Sequence, residues 1–283
     1  MRILYIVFLS VGFVSMAQQK TKVKLIHADR GTGATIEGQA VNKLYGNVHL
    51  KKDDVDFYCD SAIRYVKSSD FIGYGRVKMF QGDSVKLYCD KLNHNGAKKI
   101  SKCLGDVVLY DGSMKLTTGH LDFNRKAHTA YYYDGGVVVD GDVTLVSEEG
   151  VYNTKTEFFD FYNDVVVTNP QNRITSDTLR YAKSKEILYF EGPTWICSDE
   201  NDLYAESGEY HMRTEDAYFS KNAMAETEEY ILSGDTLWYN SKQDNGYVQG
   251  TVVVQSKADS LFIYGNEGVR KGAVGVVEVY GEN

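Results

Sequence analysis

Apolar and polar residues alternate along most of this chain. In "YGNVHL", starting at Tyr45, the apolar positions are Val48 and Leu50; a few residues later they are Phe57 and Cys59. A period of two puts successive side chains on opposite faces of a strand, so each segment predicts a β-strand with one face turned inward. Polar phrases break the alternation at short intervals. "NTKTE", "AKSKE", "HMRTED" and "NSKQDNG" form one set, and "TNPQNR", "CSDEND" and "YDGS" form another. Asn, Asp, Gly and Ser in such clusters predict turns. No window holds apolar residues at helical spacing, so almost no helix is expected after the first residues.

The alternation recurs with a longer period. An acidic corner column stands at Asp29, Asp60, Asp90, Gly119, Glu148, Asp177, Glu206, Asp235 and Gly265, at intervals of 29 to 31 residues. Three residues before it lie Ile26, Phe57, Leu87, Leu116, Leu145, Ile174, Leu203, Leu232 and Phe262. Half a period upstream a second phrase supplies Val48, Val77, Val107, Val137, Val165, Thr194, Ala223 and Val252, followed two residues on by Leu50 and its equivalents. Four residues after the acid, Phe123, Tyr152, Tyr181, Tyr210 and Tyr239 make an aromatic row. Columns this regular predict a stack of similar units, each burying its apolar face on its neighbours.

Around the acid the inward parity changes, as it does where a bulge bends a strand. Glycines in the second phrase predict another bend. Each rung is therefore two bent strands, and two sheets face each other across an apolar interior. The expected fold is all-β: an elongated β-jelly-roll or folded-sheet solenoid of about nine ~29-residue rungs. At roughly 4.8 Å per rung the stack is expected to be about 43 Å long.

Composition narrows the function. The 22 Tyr and 2 Pro suit strands. A net charge of −8 without a basic stretch argues against nucleic acid. The opening "MRILYIVFLSVGFVSMAQQK" has Arg2, an apolar stretch from Ile3 to Val14, and small Ser15 and Ala17 before Gln18. It predicts a signal peptide over residues 1–17, cleaved after Ala17, and a repeat domain over 18–283. No Cys stands at the cleavage point to carry a lipid. Of the four Cys, Cys59 and Cys89 share a column in consecutive rungs, so a disulfide between them is weighed against two buried thiols. The acids at the corners are read as solvated caps of backbone N–H groups. No catalytic motif and no metal-ligand spacing is found, so no catalytic residue, metal or cofactor is expected.

Two stretches carry a resemblance. "LIHAD" followed by "LYGNVHL" (Leu25–Asp29, Leu44–Leu50), and "VKLYCDKLNHN" (Val85–Asn95), place a strand ending in Ala-Asp or Cys-Asp within one period of a Gly-Asn-Val strand. This pattern resembles the OstA-like, LptA-type periplasmic lipopolysaccharide-transport family, and the N-terminal domain of the outer-membrane partner LptD. The resemblance covers about Val23 to Glu278; later rungs depart from it in "EGPTWI" and "SKNAMA". It implies a non-enzymatic periplasmic protein of the cell envelope, whose partners are lipopolysaccharide or a similar acylated glycolipid, and other β-jelly-roll proteins or further copies joined at edge strands. It also implies a groove between splayed sheets that shields acyl chains and helps bridge the two membranes. The inward columns would line that groove: Val48, Leu50, Phe57, Val77, Leu87, Val107, Leu116, Val137, Leu145, Val165, Ile174, Leu203, Leu232, Val252 and Phe262. The same columns would equally fill the dry core of a structural or adhesive β-solenoid. A carbohydrate-active β-helix enzyme is a third reading, resting only on the line of outward acids.

Overall fold

The computed structural model describes residues 22–259 and 261–281. The expected signal peptide lies outside the described residues. Among the described residues twenty strands form a single antiparallel sheet. They are β1 (Lys24–His27), β2 (Arg30–Ile36), β3 (Gln39–Lys52), β4 (Val55–Tyr65), β5 (Phe71–Gln81), β6 (Val85–Asn95) and β7 (Ile100–Asp111). There follow β8 (Met114–Asn124), β9 (Thr129–Asp140), β10 (Val143–Ser147), β11 (Glu149–Asn153), β12 (Phe158–Thr168), β13 (Arg173–Ala182) and β14 (Ile187–Cys197). The last are β15 (Asp202–His211), β16 (Asp216–Glu226), β17 (Tyr230–Asn240), β18 (Asn245–Ser256), β19 (Phe262–Lys271) and β20 (Val276–Tyr280).

Each strand pairs with the next in a continuous meander. Two positions are split at the acidic column: β1 and β2 both pair with β3, on either side of Asp29. Likewise β10 and β11 both pair with β9 and β12, on either side of Glu148. The expected nine rungs are therefore eighteen strand positions, two side by side in each rung. At roughly 4.8 Å per strand the sheet runs about 80 Å, not about 43 Å. The expected length counted one spacing per rung, but an antiparallel pair occupies two.

The fold depends on a corner in the middle of every strand. Between Tyr45↔Ser61 and Val48↔Cys59, β3 spends two residues, Gly46 and Asn47, where β4 spends one, Asp60. The same two-against-one step recurs at Gly105 and Asp106 against Gly119. It recurs again at Asn163 and Asp164 against Asp177. An extra residue on one side of a ladder bends the strand, as in a β-bulge. The residues that make the bend are left-handed: Asn47, Asn163, Asp164, Lys221 and Asn222 all have positive φ. Asn and Asp tolerate this conformation better than other side chains, and glycine takes it freely.

The corner acid sits against the neighbouring bend. At Gly250 (φ +101°) a Cβ would lie 2.2 Å from Asp235 Oδ2, so only glycine leaves the carboxylate its place. Thr251 N–H donates to that oxygen at 3.3 Å. Elsewhere a side chain of the bend reaches the acid: Asn47 Nδ2 donates to Asp29 at 3.0 Å, Arg76 donates to Asp60 at 2.6 Å, and Asn222 Nδ2 donates to Glu206 at 2.8 Å. The acids are thus outward caps of the adjacent strand's bend. The Arg76 guanidinium beside Asp60 holds its carboxyl below the usual carboxylate range.

Because every strand bends, its two halves belong to two facing layers. The first layer holds Leu44, Ala62, Leu92, Leu121 and Phe161 on its inner face; the second holds Leu50, Phe57, Met79 and Leu87. One contiguous core runs between them from Val23 to Val254. Layers of side chains taken out of water in this way supply the main driving force for the fold.

His94 is the buried exception. It is fully enclosed between Phe57 and Phe71, its Nδ1 2.9 Å from Ser101 Oγ, and its Nε2 has no hydrogen-bond partner. Burial, and then the charges of Lys52 and Arg125, push its pKa down to about 4. A group whose folded pKa lies below its unfolded value near 6.5 stays neutral in the fold while the unfolded chain takes up a proton. Stability is therefore expected to be constant above about pH 6.5 and to fall by up to about 3 kcal/mol as the pH drops towards 4. Urea titrations from pH 7.5 to 4.5 check this, and His94→Phe should flatten that part of the profile. A second outcome tests the corner. Gly250→Ala should cost at least about 1 kcal/mol more than Gly112→Ala, because the new methyl meets Asp235 at Gly250 and open space at Gly112. The difference in urea midpoints measures it.

The apolar interior as candidate functional site

The strand registers assemble the inward residues into three rows along the molecule. A middle row lies in the second layer: Leu50, Phe57, Met79, Leu87, Leu109 and Leu116 stand opposite one another in sequence. It continues through Val138, Leu145, Val167, Ile174, Ile196, Leu203, Ala225 and Leu232 to Val254. No member is polar. A second row, beside the corner, carries Val48, Cys59, Val77, Cys89 and Val107 and turns smaller and more hydroxylated along the chain, with Thr118, Ser147, Ser176 and Thr194. The third row, in the first layer, is the aromatic one.

Thirteen of the fifteen expected groove residues are inward and at most 4% exposed: Val48, Leu50, Phe57, Val77, Leu87, Val107, Leu116, Leu145, Val165, Ile174, Leu203, Leu232 and Val252. Two are not. Val137 is 36% exposed, and its neighbour Val138 fills the interior position. Gly136, not Val137, is the partner of Thr118 on the inner face. The reason is the Tyr132 ring. A Cβ on Gly136 would lie 2.4 Å from Tyr132 Cε2, and one on Gly150 would lie 2.5 Å from Cε1. The two glycines form a slot for that ring, whose hydroxyl meets Ser147 Oγ at 2.6 Å. Burial pushes the Tyr132 hydroxyl up to about 12.

Phe262 is the other correction, at 45% exposed. Ile263 is the partner of Val254, and Asn266 takes the corner position that Gly265 was expected to hold. One more residue in the preceding connection shifts the last rung by one place, and a shift of one turns every side chain to the other face.

The aromatic row is buried: Phe123, Tyr152, Tyr181, Tyr210 and Tyr239 are enclosed. Its hydroxyls explain why. The two layers are joined covalently at the corner, but on the opposite side only their turns meet. Along this mouth Tyr152 donates to Asp111 Oδ2 at 2.8 Å and Tyr181 to Asp140 Oδ2 at 3.2 Å. Farther along, Asn172 donates to the Tyr210 hydroxyl at 2.8 Å and Asn201 to that of Tyr239 at 2.9 Å. Near the start, Lys52 Nζ donates to the Gly96 carbonyl at 3.3 Å and Arg125 to Asp54 at 2.6 Å. Side chains, rung by rung, close the mouth. Burial, then the Asp bonds, hold the Tyr152 hydroxyl well above its ordinary pKa, so it remains a donor. Asp111, Asp140, Asn172 and Asn201 were not singled out from the sequence. Their signal was a polar residue in the second turn set, at spacings of 29 to 32 residues.

The interior is therefore filled. The expected open trough is closed in this structure, with the two walls in contact through the core. The thiols are free, so of the two alternatives weighed for Cys59 and Cys89 the buried thiols hold. Val77 of β5 stands between them, opposite Cys89. Two strand spacings, roughly 9.6 Å, exceed the reach of a disulfide. Among the described residues no cluster of His, Cys, Asp or Glu could hold a metal ion.

Comparison with known proteins follows from this geometry. No curated protein matches the chain. Among solved structures it is similar to LptH from Pseudomonas aeruginosa, described as the LptA homologous periplasmic component of the conserved lipopolysaccharide transport device. The identity is 15%, the TM-score 0.34, and the match covers 37% of this chain and 79% of that one. Residues 20–177 and 174–235 match the family described as OstA-like protein. A folded antiparallel sheet with repeated inward columns, matched over most of its length, places this chain in the OstA-like family.

Proposed function

We propose that this protein is a non-enzymatic, exported carrier of lipopolysaccharide or a similar acylated glycolipid, working in the periplasm. Acyl chains lie between the two layers, and the sugars stay outside the mouth. One observation carries this reading: the middle row from Leu50 to Val254 is apolar at every strand, and only side-chain contacts close the mouth beside it. Burial of each CH₂ is worth about 0.8 kcal/mol, so a long apolar row binds an alkyl chain without a polar motif. Near-equal steps along the row suit movement better than a single deep site.

Access requires the layers to part at the mouth, with the corner as hinge. The backbone ladder stays intact in that motion, because it runs along the molecule and not across the mouth. What breaks is a series of single hydrogen bonds, each worth about 1 kcal/mol, and the packing of the core. Acyl chains replace that packing. Membership of the OstA-like family supports the reading. The expected signal peptide supports export, and among the described residues no helix is long and apolar enough to cross a membrane.

A sheet of about 80 Å does not cross a periplasm alone, so bridging needs further copies or partners at the edges. Among the described residues Phe262, Ile263 and Tyr264 of β19 are exposed near one end of the stack.

The second reading is a structural solenoid with a dry core, and the filled interior favours it. Two measurements separate them. Photocrosslinkers at Leu116, Leu145 and Ile174 should capture lipopolysaccharide acyl chains in cells; a folded protein that captures none at any of these sites defeats the carrier reading. Tyr152→Phe with Tyr181→Phe should lower stability by about 2 kcal/mol in total and speed uptake of a fluorescent lipopolysaccharide. In a dry solenoid the stability falls and no uptake appears.

A further inference from the structure

The interior of this molecule is nearly uniform from rung to rung, but its outer surface is not. Residues 22–142 carry 18 Lys and Arg against 15 Asp and Glu, whereas residues 143–283 carry 11 against 24. The strands are stacked in chain order, so this asymmetry is an electrical polarity along the long axis. The first half is mildly positive in a protein whose net charge is −8.

On the outer face of the second layer, that half carries a ladder of rings. His49 stacks on Tyr58 with centroids 4.3 Å apart. Tyr58 then meets Phe80 at 5.8 Å, Phe80 meets Tyr88 at 5.9 Å, and Tyr88 meets Tyr110 at 6.0 Å. The rings zigzag across five successive strands, β3 to β7. Lysines fill the alternate squares of the same board. Lys78 stands opposite Tyr58 and Tyr88, Lys86 opposite Phe80 and Tyr110, and Lys115 opposite Tyr110. Lys78 and Lys86 are exposed, and among the described residues neither they nor Lys115 form an ion pair. Asp56 is already bonded to His49 and Lys51, Asp83 stands at the rim, and the corner acids Asp60, Asp90 and Asp106 border the face along its other edge, Asp60 bonded to Arg76. A depression of about 500 Å³ opens beside the last rungs of the ladder, lined by Lys86, Tyr88, Val108 and Tyr110 together with Asp83 and Ser84.

The fold does not require this surface. Every rung has the same outward positions, and the row that holds Tyr58 and Tyr88 goes on to hold Val137, Val146, Val166 and Thr175, then a single ring pair, Trp195 and Tyr204, 4.9 Å apart. Strands of this sheet are formed equally well by those residues. Aromatic faces pack on the C–H faces of sugar rings, and their hydroxyls and neighbouring lysines supply directional bonds. Unpaired lysines beside them favour carboxylate or phosphate substituents.

We propose that the outer face of β3 to β8 binds an acidic saccharide chain, its rings stacked along the ladder from Tyr58 to Tyr110 and its anionic groups on Lys78, Lys86 and Lys115. The site is separate from the interior, and the inference stands whether or not the interior carries lipid.

Affinity electrophoresis and calorimetry with the full chain test it. The probes are polygalacturonate, a deacylated phosphate-bearing core oligosaccharide, and neutral dextran. Binding of either acidic probe and not of dextran is expected. Binding of the oligosaccharide alone assigns the surface to sugars of a glycolipid, and binding of polygalacturonate assigns it to a uronate polymer. Tyr88→Ala with Tyr110→Ala should weaken the acidic probe about tenfold. Lys78→Gln with Lys86→Gln and Lys115→Gln keeps the rings and the fold, and should remove the salt dependence of binding. Tyr204→Ala, on the same face in the acidic half, should change nothing. Failure of both acidic probes to bind overturns the proposal, as does binding untouched by the two multiple variants or equal retention by dextran. A dimer, seen by sedimentation, that the tyrosine variants abolish while no saccharide binds, reassigns the ladder to self-association.

Discussion

Every other feature of this molecule depends on one backbone constraint: the corner at which each strand bends. A meander of eighteen antiparallel positions without bends is a flat ribbon with two wet faces and no inside. The two-against-one step at Gly46 and Asn47 opposite Asp60 folds that ribbon lengthwise. The left-handed conformations it needs are supplied by Gly, Asn and Asp, and also by Arg76 and Lys221. The acid of one strand lies against the bend of the next and bonds to it, so each corner helps to set its neighbour. What looks like a row of solvated surface acids is the hinge line of the molecule.

Folding the ribbon creates two unlike closures. At the corner the layers are joined by continuous chain and a backbone ladder. At the mouth they are joined by single side-chain bonds: tyrosine to aspartate in the middle rungs, asparagine to tyrosine in the later ones, lysine and arginine at the start. The first closure is strong and cooperative. The proposed function rests on that difference: parting the layers at the mouth would break single bonds and leave the backbone ladder of the sheet whole.

Inside and outside obey different rules. Interior positions face the same demand in every rung, and the middle row stays apolar from Leu50 to Val254. The outer face is free to vary, so the concentration of rings and unpaired lysines on β3 to β8 and the acidic excess of the second half report something other than folding. Tyr132 shows the exception within: one large ring is admitted only because Gly136 and Gly150 give up their side chains to it.

The period, the alternation and the bends, and hence the folded all-β stack, were legible in the order of residues alone. These are local properties: a two-residue period and a turn phrase mean the same thing wherever they stand. It also marked thirteen interior residues correctly, because a residue locked to a corner keeps its parity. It failed where that parity rests on something distant. Val137 was misplaced because the Tyr132 ring claims the space beside Gly136, and Phe262 because one added residue shifts the last rung. That the two strands of a rung lie side by side along the stack, which doubled the length and separated Cys59 from Cys89, came from the folded molecule alone. It alone showed that the mouth is shut, because Tyr152 and Asp111 are 41 residues apart and meet only when the two layers have already folded onto each other.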